Sequence, residues 1–179
     1  MIRSERRRRS DGERSRSAIL NEAAKLATVE GLSGLSIARL ADAVGMSKSG
    51  LFAHFGSKEE LQLATIETAR DIFAAEVMEP ALAEPTGIGQ LRALSERFLD
   101  HVERKVFPGG CFFASVAMEM DTRPGPVRDK AFELVGEWSS QLVAAAEGAR
   151  RRARSTVPRT PSSSPSRSTP SCSSRTPPS

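Results

Sequence analysis

Apolar positions recur at three- and four-residue spacing along most of residues 15–150, the period of helices that each bury one face. Ile19, Ala23, Leu26 and Ala27 form one such face, in a helix predicted from about Arg16 to Glu30 and stopped at Gly31. Ile37, Leu40, Ala41 and Val44 form the next, in a short helix begun by Ser36 and ended by Gly45. Ser47 then caps a second short helix whose inward residue is Leu51. Ala41 is small enough to let these two helices cross closely, so Ser36–Phe55 reads as a helix-turn-helix, whose second helix enters the DNA major groove. Two short helices bury no core alone. Phe52 and Phe55 are expected to fill the centre of the unit they build with their neighbours.

Ser57-Lys-Glu-Glu60 is a capping box that starts a long helix carrying Leu61, Ala64, Ile66, Ile72, Phe73 and Val77 and ending before Pro80. Residues 80–89 read as a Pro/Gly linker. A helix over about 90–105 turns Leu91, Leu94, Phe98, Leu99 and Val102 inward, and Phe107-Pro-Gly-Gly110 breaks it. Gly110 to Met120 is predicted as a short apolar helix, largely buried. Pro126 opens the last helix, where its missing N–H costs nothing, and that helix runs to about Arg152 with Leu134, Trp138 and Leu142 on its apolar face. No strand-like alternation persists. The predicted fold is all-α: a three-helix helix-turn-helix domain over 15–60, joined by a long fourth helix to a helical domain over 61–152.

Charge adds two flanking segments. The net +4 of the 179 residues hides seven Arg against three acids in residues 1–16, seven Arg and no acid in 150–179, and a balance of −7 between them. Residues 1–14 are expected to be an unfolded basic arm, either a solvated terminus or a phosphate-seeking one beside the helix-turn-helix. From about residue 153 the chain turns almost wholly to Ser, Thr, Pro and Arg, a composition that cannot offset its ordering entropy. Residues 153–179 are therefore expected to be disordered. The abrupt change favours a coding-frame switch over a genuine low-complexity tail, which translation of the other frames past residue 150 tests.

No apolar run approaches the roughly 20 residues of a membrane span, and the N-terminus has no apolar signal core, so a soluble cytoplasmic protein is expected. Cys111 and Cys172 have no metal-ligand spacing, and Cys111 reads as a small buried hydrophobe. Nothing resembles a nucleophile triad, a phosphate loop or a metal cluster, so neither an enzyme nor a cofactor is expected. Glu119 and Asp121 read as a solvated helix end. His54 has no acid or nucleophile nearby in sequence, which favours a structural or phosphate role.

The stretch GLSGLSIARLADAVGMSKSGLFAHFGSKEEL closely resembles helix 2, the turn, the recognition helix and the start of helix 4 of TetR-family transcriptional repressors. GCFFASVAMEMDTRPGPVRD resembles a ligand-domain segment of one large subgroup of them. The resemblance implies an Ω-shaped homodimer that reads a palindromic double-stranded DNA operator and is released by a small-molecule inducer. It places Ser36 at a phosphate and Ser47, Lys48, Ser49 and Gly50 at base edges, with Lys48 as the leading base or phosphate contact. His54 would lie near the DNA backbone, and Lys58 would reach a phosphate. Phe52 stands where the family usually has a phosphate-donating Tyr, so it keeps the packing and loses that hydrogen bond. Phe73, Phe98, Phe112, Phe113, Met118 and Trp138 are core by spacing and are the candidate lining of an inducer pocket.

The family dimerises mainly through two C-terminal helices, and here the Ser/Pro/Arg tail occupies their place. The predicted ligand and dimerisation domain is thus incomplete at its C-terminus. Two functions compete: a ligand-controlled DNA-binding repressor, and a truncated ligand-binding or protein-interaction module that folds without repressing. A monomer would lose the chelate gain of a second half-site.

Overall fold

A computed structural model describes residues 2–156, and among them every regular element is helical. Helix α1 spans Ile2–Glu30, buries Ile19, Leu20, Ala23, Ala24 and Ala27, and ends at Gly31. The basic segment expected to be unfolded is therefore helical from Ile2 onward. Arg and Glu are good helix formers, and a segment joined to a formed helix extends it without a new nucleation cost. An Asp11–Arg14 pair at 3.6 Å lies on this extension.

Helices α2 (Ile37–Ala43) and α3 (Lys48–Phe52) form the expected helix-turn-helix. Ser36 and Ser47 cap them, accepting from Arg39 N at 3.5 Å and from Gly50 N at 3.1 Å. Gly45 takes a φ of +65°, which an L side chain rarely adopts, and Ala41 is buried where the helices meet. Leu51 and Phe55 are buried, but Phe52 is 53 % exposed. The centre is filled by Phe55 alone of the pair, because Phe52 lies about 100° around α3 from the inward Leu51.

Helix α4 (Lys58–Phe73) starts as a shifted capping box: Ser57 Oγ accepts from Glu60 N, while Glu60 Oε2 accepts from Gly56 N rather than from the cap's own amide. The helical path does not stop before Pro80. A π-helical turn over Ala74–Met78 leads into α5 (Glu79–Leu82), and Pro80, which has no N–H to donate back along the path, stands directly after this widened turn. Helix α6 then runs over Gly87–Glu103, three residues earlier than predicted because Thr86 Oγ1 caps it through Gly89 N. Its inward stripe is Leu94, Phe98 and His101, whereas Leu99 is 58 % exposed.

Helix α7 (Phe112–Met120) buries Phe112, Val116 and Met120, and Cys111 precedes it half-buried. Helix α8 (Pro126–Thr156) packs on α4, α6 and α7 and remains helical through residues 153–156. The expected disorder of 157–179 lies outside the described residues. One core runs continuously from α1 to Leu134 of α8, and a smaller one gathers Ala81, Leu94 and Ala145.

Candidate nucleic-acid interface and ligand cavity

Helix α3 turns one side to solvent. Ser47, Lys48, Ser49 and Phe52 are exposed, Gly50 and His54 are half-buried, and Leu51 anchors the opposite side. The Oγ atoms of Ser47 and Ser49 lie 3.2 Å apart, so the two hydroxyls form one polar edge. Ser36 is exposed at the start of α2. Lys58, at the start of α4, is exposed, and its ammonium donates to Ser33 O at 2.6 Å, leaving two further N–H groups free for a phosphate.

The helix-turn-helix is held from both sides. Arg16 of α1 donates to His54 O at 2.7 Å, just past the end of α3, and its guanidinium stacks over the Phe55 ring at 4.5 Å. The turn between α1 and α2 is gripped from the second unit. Glu119 of α7 accepts from Leu32 N at 2.6 Å and Ser33 N at 2.8 Å, one amide per carboxylate oxygen. Arg123 donates to Ser33 Oγ at 2.5 Å, and Gln62 donates to Leu32 O at 2.9 Å. Gly109 N donates to Thr28 Oγ1 at 3.0 Å, and a Cβ at Gly109 would overlap the Thr28 carbonyl. Glu119 is therefore not a solvated helix end: two backbone amides of a turn some 86 residues away in sequence consume its charge. Nothing local in sequence announces such a partner.

A cavity of about 260 Å3 is walled by Phe73, Ala74, Met78, Phe113, Leu134 and Trp138. Arg70 and Glu137 complete its lining at the solvent side. Phe73 meets Phe113 and Trp138 edge-on at 5.6 and 5.1 Å. Three of the six predicted lining residues thus meet at the cavity. Phe98 stands behind them, 6.3 Å from Phe73 and 6.1 Å from Trp138. Phe112 is core, 1 % exposed. Met118 is 81 % exposed, because the inward stripe of α7 is Phe112, Val116 and Met120 and residue 118 falls on the far side. The π-helical turn supplies Ala74 and Met78, which no periodic pattern marks.

Arg70 is engaged by its own neighbours. Its Nε and Nη2 donate to Asp71 Oδ1, and its Nη1 pairs with Glu67 at 2.9 Å. The hydrogen bond to Asp71, ahead of the attraction of Glu67, holds its pKa above the ordinary arginine value.

Sequence reading passed over His101. It is 3 % exposed, and its Nδ1 lies 3.0 Å from Glu76 Oε2, which Arg104 also reaches at 2.7 Å. Its Nε2 has no partner among the described residues, and its ring packs against those of Phe73 and Phe107, at centroid distances of 5.6 and 5.3 Å. Burial pushes the Glu76 carboxyl up, but the hydrogen bonds from His101 and Arg104 outweigh it and hold the carboxyl below its ordinary value. A carboxylate depressed in the folded state stabilises above its unfolded pKa and loses that contribution as pH falls through the folded value. Thermal midpoints of the wild type are therefore expected to drop between about pH 5 and pH 3 more steeply than those of Glu76→Gln. Parallel pH profiles would remove Glu76 from the account.

Among the described residues no helix is long and apolar enough to cross a membrane, and no cluster of His, Cys, Asp and Glu could hold a metal ion. A capped helix-turn-helix locked to a helical unit with an aromatic cavity is the plan of a ligand-binding transcriptional regulator. The family model of bacterial regulatory proteins of the tetR family matches residues 19–65, and that of the tetracyclin repressor-like C-terminal domain matches 87–158. The TetR-family regulator PfmR from Thermus thermophilus is 30% identical, with 75% of this chain and 71% of that chain covered and a TM-score of 0.58. A TetR regulator from Chloroflexus aurantiacus is 25% identical over 80% of this chain and 72% of that one, with a TM-score of 0.72. AibR, solved with isovaleryl coenzyme A and operator DNA, is 25% identical over 78% and 74%, with a TM-score of 0.65. No curated protein matches. The chain belongs to the TetR family of transcriptional regulators and has that family's DNA-binding and ligand-binding domains.

Proposed function

We propose that the protein is a cytoplasmic transcriptional repressor that binds a palindromic operator as a homodimer and leaves it when a small apolar or amphipathic ligand fills the cavity beside Trp138. The observation that carries this reading is the division of α3: Leu51 is fully buried while Ser47, Lys48 and Ser49 stand together in solvent. A helix held by one inward residue and presenting hydroxyls and an ammonium outward is suited to base edges and phosphates. Ser36, Ser47, Lys48, Ser49, Gly50, His54 and Lys58 are the proposed contacts, with Phe52 packing its ring against the duplex. Glu119 links cavity to reading head, since it leaves the helix that carries Phe113 and ends on the turn leading into α2. AibR, which has been solved with both operator DNA and a coenzyme A ester, supports the pairing of the two sites in one fold.

Selection from random duplex DNA, followed by light scattering of the bound and free protein, tests the reading. A palindromic consensus, two chains per duplex and affinity falling steeply with salt are expected. A strict monomer without sequence preference would instead mark a ligand-binding or interaction module that does not repress.

A further inference from the structure

We infer that the cavity beside Trp138 takes a hydrophobic cation, an aromatic or alkyl ammonium, and that Glu137 selects its charge. This rests on the reading of that cavity as the ligand site and goes further by naming the ligand's chemistry. The walls are aromatic: Phe73, Phe113 and Trp138 bring ring faces and edges to one space. Ring faces carry negative quadrupole density and attract ammonium groups.

The two charged lining groups are not equivalent. Arg70 has committed Nε, Nη1 and Nη2 to Asp71 and Glu67. Glu137 makes no hydrogen bond and no ion pair among the described residues, feeling only the longer-range attraction of Arg70. Lys130, which shares Glu67 with Arg70, is likewise committed, to Glu67 at 2.7 Å and Glu133 at 3.3 Å. The charged lining of the cavity is therefore one arginine held by two acids and one unpaired carboxylate. An anionic ligand would meet the unpaired Glu137 carboxylate beside an arginine already engaged by two acids. A cation meets an unpaired carboxylate and the aromatic walls together.

Trp138 is the chain's single tryptophan and lines the cavity, so its fluorescence reports occupancy of the full-length protein. The probes are phenyltrimethylammonium, its neutral isostere tert-butylbenzene, and benzenesulfonate, which share a phenyl group and a tetrahedral head and differ in charge. Phenyltrimethylammonium is expected to bind about tenfold more tightly than tert-butylbenzene. Glu137→Gln should cut that advantage to the roughly two- to threefold that the ring faces supply and leave the affinity for tert-butylbenzene unchanged, which also shows that the variant's cavity is intact. The inference is overturned if tert-butylbenzene or benzenesulfonate binds as tightly as the cation, if Glu137→Gln keeps the tenfold preference, or if no probe binds at millimolar concentration. Operator release, followed in the same samples, separates the two readings. A neutral or anionic probe that binds best and releases DNA would sink the cation and leave the ligand-controlled repressor standing. A cation that binds best without releasing DNA would do the reverse.

Discussion

Operator affinity is expected to fall at least about a hundredfold in the double variant Lys48→Ala/Lys58→Ala, with no loss of fold. Each lysine contact to a base edge or phosphate contributes on the order of 1–3 kcal/mol, and a dimer on a palindrome makes every contact twice. Both side chains are exposed, and among the described residues the bond lost is the one from Lys58 to Ser33 O on the surface. The two substitutions should also differ in character. Removing Lys58, a phosphate contact at the start of α4, should weaken all sequences alike and flatten the dependence of log K on log salt by about two units per dimer. Removing Lys48 should relax sequence preference within the half-site if it reads a base. Filter binding across a salt series, with single and double variants on selected and scrambled duplexes, separates these effects. Unchanged affinity in the double variant would refute the proposed interface.

Glu119→Ala is expected to cost about 2 kcal/mol of unfolding free energy, because it leaves the amides of Leu32 and Ser33 without acceptors in a part-buried turn. Glu119→Gln keeps one acceptor oxygen at similar volume and should recover roughly half of that loss. Urea denaturation gives the magnitude, and hydrogen exchange at Leu32 and Ser33 gives the place. If both amides stay protected in the alanine variant, the carboxylate is not what holds the turn. Gly31 directly precedes these amides, and a Cβ there would come within 3.1 Å of the Glu119 carboxylate, so a larger residue at 31 should mimic part of the effect.

The helix-turn-helix was legible because every determinant of it is local. Ser36, Gly45, Ser47 and Ser57 each act on residues within four positions, and the helical period of Ile37, Leu40, Ala41 and Val44 needs no partner to be seen. The aromatic cavity was half legible. Periodicity places Phe73, Phe113 and Trp138 on inward faces, but it misassigns Met118 and Leu99, for which only the packing of neighbouring helices decides which side of a broad apolar stripe is covered. His101 was missed for the converse reason. It occupies the inward position seven residues after Leu94, and a polar type there hides the stripe it continues. Pro80 signalled a stop that the π-helical turn carries through, and the charges of Arg16, Glu119 and Arg123 find backbone and hydroxyl partners 38 to 90 residues away. Such long-range polar bonds have no periodic signature.

The contact of Gly109 with Thr28 sets a mechanical rule for the whole chain. The Gly109 backbone lies against the Thr28 carbonyl and donates to the Thr28 hydroxyl, so no larger residue fits between α1 and the loop that leads into α7. Close-packed backbone does not compress. If a ligand displaces α7 as the proposed function requires, this point is expected to be the fulcrum, with Glu119 on the moving arm and the α1–α2 turn as the load it carries.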